Sequence, residues 1–230
     1  MIQRLFTDIA GIYDRMNRLL SLGLDRRWRR NAIRLVSTCR PRRIIDLATG
    51  TGDLAFLLAE RFTEANILGI DLTPAMLEIA RNRNACPRVT FAEADAQVFR
   101  THIDCADASA DLITCAFGFR NFHDRAASLR ECAHALHPDG RLLVLEFFRP
   151  KNQTIGMLTD LWIRATVRLF APCCRPAYDH LRESIWKTCS EETFIRDAED
   201  SGLKFADRRF FPPACTVLLF RREMDQRAWS

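Results

Sequence analysis

Acidic side chains follow the apolar segments in the first half of the sequence, close to a glycine-rich loop. The segment IIDLATGTGDLAF places Gly50, Thr51 and Gly52 between an apolar run and a helical pattern. Glycines in this position let backbone amides approach a ligand, and the N-terminus of the next helix offers unpaired N–H groups. Asp71 ends the segment NILGID, nineteen residues after Gly52, where a carboxylate can accept both hydroxyls of a ribose. The pattern predicts a nucleoside cofactor.

Three further acids decide which nucleoside cofactor fits this loop. Asp46 lies four residues before Gly50, and Asp53 directly follows Gly52, where it also suits the role of a helix cap. Both acids would repel a pyrophosphate in a partly desolvated site. Asp95 follows the third predicted strand, where it can meet an adenine amino group. The acids favour S-adenosylmethionine, a sulfonium with an amino acid tail, over the nicotinamide dinucleotide that the loop pattern alone fits equally well.

A second group of polar residues follows a later apolar run. The segment FGFRNFHD places Arg120 and Asn121 just after a glycine, with His123 close behind. A guanidinium stays charged at any working pH, so Arg120 can stabilise a developing anion or polarise a water, and Asn121 can orient the same oxygen. His123 titrates in the range of a base but ranks below them. A structural alternative stays open, in which Arg120 pairs with Asp124 and Asn121 caps the next helix.

An alternation of strand and helix patterns positions these two groups. The predicted strands cover 43–48, 66–71, 88–94, 110–117 and 141–147, and the predicted helices between them cover 53–62, 73–84 and 124–138. This alternation predicts right-handed crossovers and a parallel sheet with helices on both faces. Ligands of such sheets bind at the carboxyl ends of the strands, where both polar groups lie.

The C-terminal third differs from this pattern. Helices are predicted over 155–171, around 178–187, and from Ser190, as the cap, to a stop at Gly202. The segments KFADRRFF and CTVLLFRR are joined by PPA, which is too short for a helical crossover, so they predict an antiparallel hairpin. The helix over 155–171 fits a cover over the apolar part of a ligand, a core helix or the face of a homodimer.

Charge, cysteine content and hydropathy narrow the class of protein. The net charge is +5, and eight arginines lie between Arg26 and Arg43. This run fits a solvated helix face best, an anionic membrane surface next and nucleic acid least. Nine irregularly spaced cysteines without C-x-x-C predict neither disulfides nor a metal site. No apolar run reaches the roughly 18–20 residues of a membrane span, and the N-terminus lacks a secretory pattern, so we expect a cytoplasmic protein.

The sequence resembles the ubiquinone/menaquinone biosynthesis C-methyltransferase family of the UbiE type. The similarity rests on IAGIYDRMNRLLSLGLDRRWRR, DLATGTGDLAF, GIDLTPAMLEIAR, FGFRNFHD and GRLLVLEFFRP, and it covers about residues 6–150. It implies an α/β Rossmann-like methyltransferase fold, with a mostly parallel seven-stranded sheet that ends in an antiparallel hairpin. It also implies N-terminal helices that cover the site. We accordingly expect a helical cap over 1–40 and a methyltransferase domain over 41–230, within one structural domain.

The resemblance also implies a reaction and its site. The reaction is methylation of a ring carbon of a polyprenyl quinol by S-adenosylmethionine, with demethylmenaquinol or the methoxy-benzoquinol of the ubiquinone pathway as substrate. Arg120 and Asn121 are the implied catalytic residues, and Tyr13 closes over the pocket, with Asp14 and Asn17 beside it. The expected cofactor-binding residues are Asp46, Gly50, Thr51, Gly52, Asp71, Leu72, Asp95, Ala96 and Ala116. Ala116 stands where the family often has a serine, and the C-terminal segment PPACTVLLFRRE also departs from the family pattern.

Three other functions stay open at this point. The protein could methylate another small aromatic compound or lipid, reduce a substrate with a nicotinamide cofactor, or bind the cofactor as a non-catalytic scaffold. The expected partners are the quinol, the inner face of the membrane as a peripheral contact, and a second copy in a homodimer. Neither nucleic acid nor a metal is expected.

Overall fold

The computed structural model describes residues 2–102, 109–149, 153–170, 175–212 and 215–222. One seven-stranded sheet has the order β3-β2-β1-β4-β5-β7-β6. Neighbours from β3 to β5 are parallel, and β7 runs antiparallel to both β5 and β6. The strands are β1 (Arg43–Leu47), β2 (Asn66–Asp71), β3 (Val89–Glu93), β4 (Ala110–Ala116), β5 (Leu136–Glu146), β6 (Leu203–Phe211) and β7 (Cys215–Arg222). The predicted sheet and its terminal hairpin are confirmed.

Ten helices surround this sheet in the described part of the chain. They are α1 (Ile2–Ile9), α2 (Tyr13–Leu20), α3 (Leu24–Leu35), α4 (Asp53–Arg61), α5 (Pro74–Arg83), α6 (Phe99–His102), α7 (Arg125–Ala135), α8 (Gln153–Phe170), α9 (Arg175–Lys187) and α10 (Glu191–Glu199). Single 3₁₀ turns cover Ala10–Ile12 and Phe119–Asn121. None of the helices described is long and apolar enough to cross a bilayer.

Alternate residues of the central strands bury apolar side chains on opposite faces of the sheet. Ile45 and Ile113 belong to one core cluster, and Ile44 and Leu112 belong to the other. Successive side chains of a strand point to opposite faces, so a strand covered on both sides is apolar throughout. The acid Asp46 in β1 is therefore conspicuous, because it lies within an otherwise apolar strand.

The main error of prediction lies between α7 and β5. The helix predicted over 124–138 ends at Ala135, and the strand predicted from 141 begins at Leu136. Leu136 pairs with Ala110 of β4, and the register shifts before Leu112 pairs with Arg141. Sheet pairing overrides the helical pattern here. The short helix α6 was not predicted.

The first forty residues pack in two different places. Trp28, Ala32 and Ile33 of α3 belong to the core cluster that lies against β1 and α4. Ile9 and Met16 instead form a separate cluster with residues of α8 and α9. The N-terminal segment therefore joins the sheet through α3 and joins the C-terminal helices through α1 and α2.

Candidate active site

A cleft at the carboxyl ends of β1 and β4 collects many of the residues that the sequence singles out. Its walls include Asp46, Thr51 and Ala116, with Tyr13 from α2 on one side. The cleft is lined by Tyr13, Arg29, Asp46, Ala48, Thr49, Gly50, Thr51, Asp53, Leu54 and Ala116. Ligands of open α/β sheets bind at this edge, so the location agrees with a cofactor site.

The glycine-rich loop turns sharply between β1 and α4. Gly50 and Gly52 have φ values of 57° and 87°, in the left-handed region that glycine adopts without a Cβ penalty. A Cβ on Gly52 would also lie 2.8 Å from the Phe56 ring. The Gly50 amide donates to Asp71 Oδ2 at 2.8 Å, which ties the loop to the end of β2. The loop is thus fixed with its backbone close to the cleft.

Asp71 is the acid expected at the ribose. Its other oxygen, Oδ1, accepts the backbone amide of Thr73 at 2.9 Å, at the start of α5. Burial raises the pKa of Asp71, although the amides of Thr73 and Gly50 oppose the rise. Each carboxylate oxygen has two lone pairs, so Asp71 keeps acceptor capacity for a pair of hydroxyls.

Asp46 is fully enclosed at the base of the cleft. Its carboxylate accepts the hydroxyl of Thr49 at 2.7 Å and that of Thr114 at 2.6 Å. Burial raises the pKa of Asp46 from 3.8 to about 6, although the two hydroxyls and the Arg29 cation lower it. An acid that is costly to ionise in this cleft favours a cationic ligand group close to it.

Arg29 is a cleft residue that the sequence analysis did not single out. It is buried and pairs with Asp25 one turn earlier, with Nη1 3.0 Å from Oδ2. Its guanidinium lies 5.4 Å from the centre of the Phe117 ring. Its buried Nε has no hydrogen-bond partner among the described residues. A buried donor without a partner is unusual, and a bound anionic group would satisfy it.

The N-terminal helices contact the glycine loop directly. Thr51 donates its hydroxyl to Asp14 Oδ1 at 2.6 Å, and Arg83 of α5 lies 2.8 Å from Asp14 Oδ2. Arg83 also pairs with Asp53 at 2.7 Å, so Asp53 faces a cation here. Burial raises the pKa of Asp14, while the Thr51 hydroxyl and Arg83 lower it. Arg83 therefore links α2 to α4 beside the glycine-rich loop.

The remaining expected cofactor residues lie at the ends of β2, β3 and β4. Asp95 accepts both the backbone amide and the side-chain amide of Gln97, at 2.9 and 3.0 Å. Ala96 is buried beside it, while Leu72 is largely exposed and its carbonyl accepts from Gln3 at 2.7 Å. Ala116 is half-buried in the wall of the cleft.

Arg120 is buried and paired with a residue that was not predicted. Its Nη1 donates to Glu146 Oε1 and to the Phe117 carbonyl, both at 2.6 Å. The two side chains are only 6% and 1% exposed. The alternative pairing with Asp124 is wrong, because Asp124 caps α7 by accepting the Ala127 amide at 2.8 Å. Arg120 Nε is buried and has no hydrogen-bond partner among the described residues.

Two stacked rings connect Arg120 to the cofactor cleft. Phe117 and Phe147 stack with their centres 4.7 Å apart. Arg120 lies 5.8 Å from the centre of each ring, and Arg29 lies near the Phe117 ring as described above. Phe117 has φ 61°, a strained value for a non-glycine residue at the end of β4. The strained residue lies between the two buried arginines.

Asn121 meets a histidine from α9. Its Oδ1 lies 3.3 Å from His180 Nε2. Burial and the nearby Arg120 cation lower the pKa of His180, so its imidazole is neutral near pH 7. Asn121 does not cap α7, since Asp124 does. His123 is exposed and therefore less suited to act as a base.

The structure thus adds three charged or titratable residues to the predicted site. Glu146 has a sequence signal, since it is an acid at the end of the apolar run LLVLE, as Asp46 is in IIDL. Arg29 has none, because the neighbouring arginines look alike in sequence. His180 reaches Asn121 only through tertiary contact. No cluster of three or more His, Cys, Asp or Glu residues suited to a metal occurs among the residues described.

Comparison with known proteins shows a family match over most of the chain. The model of the ubiE/COQ5 methyltransferase family matches residues 1–214. The demethylmenaquinone methyltransferase of Thermus thermophilus is 42% identical over 186 residues, which is 79% of this chain and 83% of that protein. The ubiquinone/menaquinone biosynthesis C-methyltransferase UbiE of Citrifermentans bemidjiense is 36% identical over 213 residues, 88% of each chain.

Solved structures with low sequence identity share the fold. The Haloferax volcanii putative methyltransferase, in complex with its Trm112 activator, superposes with a TM-score of 0.69 at 15% identity, over 95% of this chain and 98% of that chain. Human N-acetylserotonin methyltransferase with S-adenosylmethionine gives 0.62 at 18% identity, over 91% and 55%. With the family model matching nearly the whole chain, the protein belongs to the ubiE/COQ5 methyltransferase family.

Proposed function

We propose that this protein transfers a methyl group from S-adenosylmethionine to a ring carbon of a polyprenyl quinol, with demethylmenaquinol as the first candidate. The observation that carries this proposal is a cleft with Asp46 and Arg29 in its walls. The Phe117 ring lies between Arg29 and the buried Arg120. Family membership and relatives named for demethylmenaquinone and UbiE methylation support the reaction. They favour it over methylation of an unrelated aromatic compound or reduction with a nicotinamide.

The charges of the cleft suit the amino acid tail of the methyl donor. The ammonium of the tail would pair with Asp46, and its carboxylate would satisfy the free Nε of Arg29. The Gly50–Gly52 backbone would pass along the ligand, and Asp71 would accept the ribose hydroxyls. Asp95 and Ala96 would flank the adenine. Residues 1–40, as a cap with Tyr13 and Asp14, would close over the tail.

Methyl transfer to carbon needs an electron-rich ring held in line with the donor. S-adenosylmethionine supplies an electrophilic methyl on a sulfonium. The ring carbon becomes nucleophilic when a neighbouring hydroxyl loses its proton, and a fixed cation lowers the cost of that phenolate. Arg120 fits this role because Glu146 holds its Nη1 in place while Nε remains available. Asn121 would orient the same oxygen, and Tyr13 is a second group for it.

His180 is the candidate for the group that receives the quinol proton. A base must be unprotonated, and the neighbourhood of His180 keeps it neutral. The charged groups that face it are Arg120 and Lys187, which lower its pKa, and Glu183, which raises it. Through Asn121, the imidazole is linked to the turn that carries Arg120.

Replacing His180→Gln should keep the contact with Asn121 and remove the proton acceptor. We expect kcat to fall about 100-fold, the lower end of the usual contribution of a general base. In the wild type, kcat should fall as the pH drops below the ordinary His range, since the pKa of His180 is lowered. The variant should lack this acidic limb. The matched control is the exposed His134→Gln, which should behave as wild type. An unchanged pH profile in His180→Gln would exclude the role.

The substrate class is tested by methyl transfer to a panel of chemically reduced acceptors. The panel contains a short-chain demethylnaphthoquinol, a short-chain methoxy-benzoquinol and simple phenols, each with the same methyl donor. We expect turnover of one or both quinols and none of the phenols. Turnover of the phenols at a similar kcat/KM would refute the quinol proposal. Binding of the cofactor without turnover of any acceptor would indicate the scaffold function instead.

We further propose that the protein works in the cytoplasm and meets its substrate at the inner face of the membrane. A polyprenyl tail is apolar, so the quinol partitions into the bilayer and the enzyme has to reach the bilayer surface. This location is a consequence of the proposed substrate.

A further inference from the structure

Helix α8 exposes an apolar stripe that no other element in the described part of the chain covers. Met157, Leu158, Leu161, Trp162 and Leu169 recur at helical spacing and are between 43% and 73% exposed. The opposite side of the same helix is buried, with Ile163 and Val167 in the cluster that holds α1 and α2. A helix that is apolar on both sides is normally buried on both sides. The exposed side of α8 therefore needs an apolar partner.

A basic face lies on α3, which follows α2 in the chain. Its four exposed arginines, with Gly23 and Asn31, line one open groove, and they are Arg26, Arg27, Arg30 and Arg34. The sole acid of α3, Asp25, is buried and paired with Arg29. Among the described residues, no carboxylate forms an ion pair with any of the four. The basic face is therefore uncompensated positive charge.

The stripe and the basic face are joined by a short turn. Trp162 donates its indole N–H to the carbonyl of Leu20 at 3.0 Å, which fixes α8 against the end of α2. Leu22, which follows, is 69% exposed and has φ 52°. Gly23 then begins the groove of the basic face. Exposed apolar side chains thus lead from α8 to the arginines without an intervening element.

We infer that the apolar stripe of α8 and the basic face of α3 form one docking surface for an anionic lipid bilayer. Leucine, methionine and tryptophan side chains beside a cluster of arginines are the composition of an interfacial membrane-binding surface. Each arginine near an anionic membrane strengthens binding about fivefold. Arg168 on α8 is exposed as well and adds to the positive side, whereas Arg164 is paired with Asp160 at 2.7 Å.

The charges argue against the two other occupants. Stripe-to-stripe contact with a second copy would bury the apolar side chains but would supply no anion to the arginines of the basic face. A nucleic acid would neutralise the arginines but would leave the stripe in water. A bilayer with anionic headgroups satisfies both parts of the surface. The inference rests on the proposed function in one respect: a bilayer-resident quinol substrate is the reason for the protein to bind a membrane.

Vesicle flotation tests the surface without measuring methyl transfer. The wild type should float with vesicles of phosphatidylcholine and phosphatidylglycerol in equal parts, should release at high salt, and should not float with phosphatidylcholine alone. Replacing the four arginines of the basic face by glutamine should weaken binding about 600-fold, since each contributes about fivefold. The double variant Leu161→Gln and Leu169→Gln should weaken it at least about tenfold.

Matched variants control for the change in charge and hydropathy. Four exposed cations elsewhere are Arg130, Arg196, Lys204 and Arg221, and replacing them by glutamine removes the same net charge. Val98 and Phe210 are exposed apolar residues outside the stripe, and their replacement by glutamine controls for the leucines. Both control proteins should float as the wild type does.

Several results would overturn the inference. Equal binding to both kinds of vesicle, no binding by the wild type, or equal loss in the control variants would each contradict it. A wild-type dimer that Leu161→Gln and Leu169→Gln convert to a monomer, without vesicle binding, would assign the stripe to a second copy. Turnover of a short-chain quinol in detergent separates the two proposals. If neither the wild type nor the arginine variants turned over the quinol, the proposed function would be rejected, and the result of the vesicle experiment would still stand.

Discussion

Asp46→Asn should nearly abolish binding of the cofactor while making the folded protein more stable. Asp46 is 1% exposed and would pair with the ammonium of the cofactor, and loss of one charge-assisted hydrogen bond costs about 1.5–3 kcal/mol. We therefore expect the affinity for S-adenosylhomocysteine to fall about 100-fold. Isothermal titration at pH 7.5 measures this change directly.

The gain in stability follows from the raised pKa of the same acid. Burial raises the pKa of Asp46 from 3.8 to about 6. Between pH 3.8 and about 6, Asp46 is therefore protonated in the folded state and ionised in the unfolded chain. The stability of the wild type therefore falls as the pH rises from about 4 to 6. A shift of this size corresponds to roughly 3 kcal/mol. The neutral Asn side chain avoids this cost, and the hydroxyls of Thr49 and Thr114 can rotate to pair with it.

Denaturant unfolding at two pH values tests this part of the prediction. The free energy of unfolding of Asp46→Asn should exceed that of the wild type at pH 7.5, and the difference should shrink toward pH 4. Asp53→Asn is the matched control, because Asp53 lines the same cleft but pairs with Arg83. It should bind the cofactor within a few-fold of the wild type. Equal affinity of Asp46→Asn and wild type for the cofactor would exclude Asp46 from the site.

Arg120→Lys should strongly lower kcat without unfolding the protein or weakening cofactor binding. A lysine ammonium can replace Nη1 between Glu146 and the Phe117 carbonyl, so the buried acid keeps a cation. The variant loses the Nε donor, which has no partner among the residues that the structure describes. Removal of one donor to a developing oxyanion typically lowers kcat by about 10²–10³-fold. Steady-state assays of quinol methylation should show this loss, with unchanged affinity for S-adenosylhomocysteine.

Glu146→Gln tests whether the Glu146 carboxylate positions Arg120 for catalysis and how much it stabilises the fold. It leaves Arg120 as a buried cation without its carboxylate, which typically costs about 3–5 kcal/mol of stability. We expect a lower melting temperature and a fall in kcat with little change in KM. Arg125→Lys, a change at the ion pair with Asp197 between α7 and α10, is the control and should retain kcat. If Arg120→Lys also retained kcat, Arg120 would have only a structural role.

The sequence predicts the parts of the site that depend on local pattern. The glycine loop after β1, the acid at the end of β2 and the polar turn after β4 follow from strand and helix periodicity, and the sheet and terminal hairpin are confirmed. The start of β5 was predicted wrongly, because Leu136 pairs with Ala110 across the sheet and periodicity within the segment does not contain this contact.

The residues that escape prediction act through tertiary contacts. Arg29 differs from its neighbours only in facing the cleft, and the helical phase of α3 that turns it inward is set by the packing of Trp28 and Ile33. His180 comes from α9, 59 residues from Asn121 in the sequence. The family resemblance implied catalysis by Arg120, but its pairing with Glu146 depends on the neighbouring strands β4 and β5. Such pairs follow from the assembled sheet.

The position of the transferred methyl tests the central claim most directly. The purified protein is supplied with S-adenosylmethionine that carries ¹³C in its methyl group and with chemically reduced short-chain demethylnaphthoquinol, and the product is examined by NMR. We predict that the label is bonded to a ring carbon, and that Arg120→Lys gives little of this product. Label on a quinol oxygen, or a quinol that acquires no label, would contradict the account.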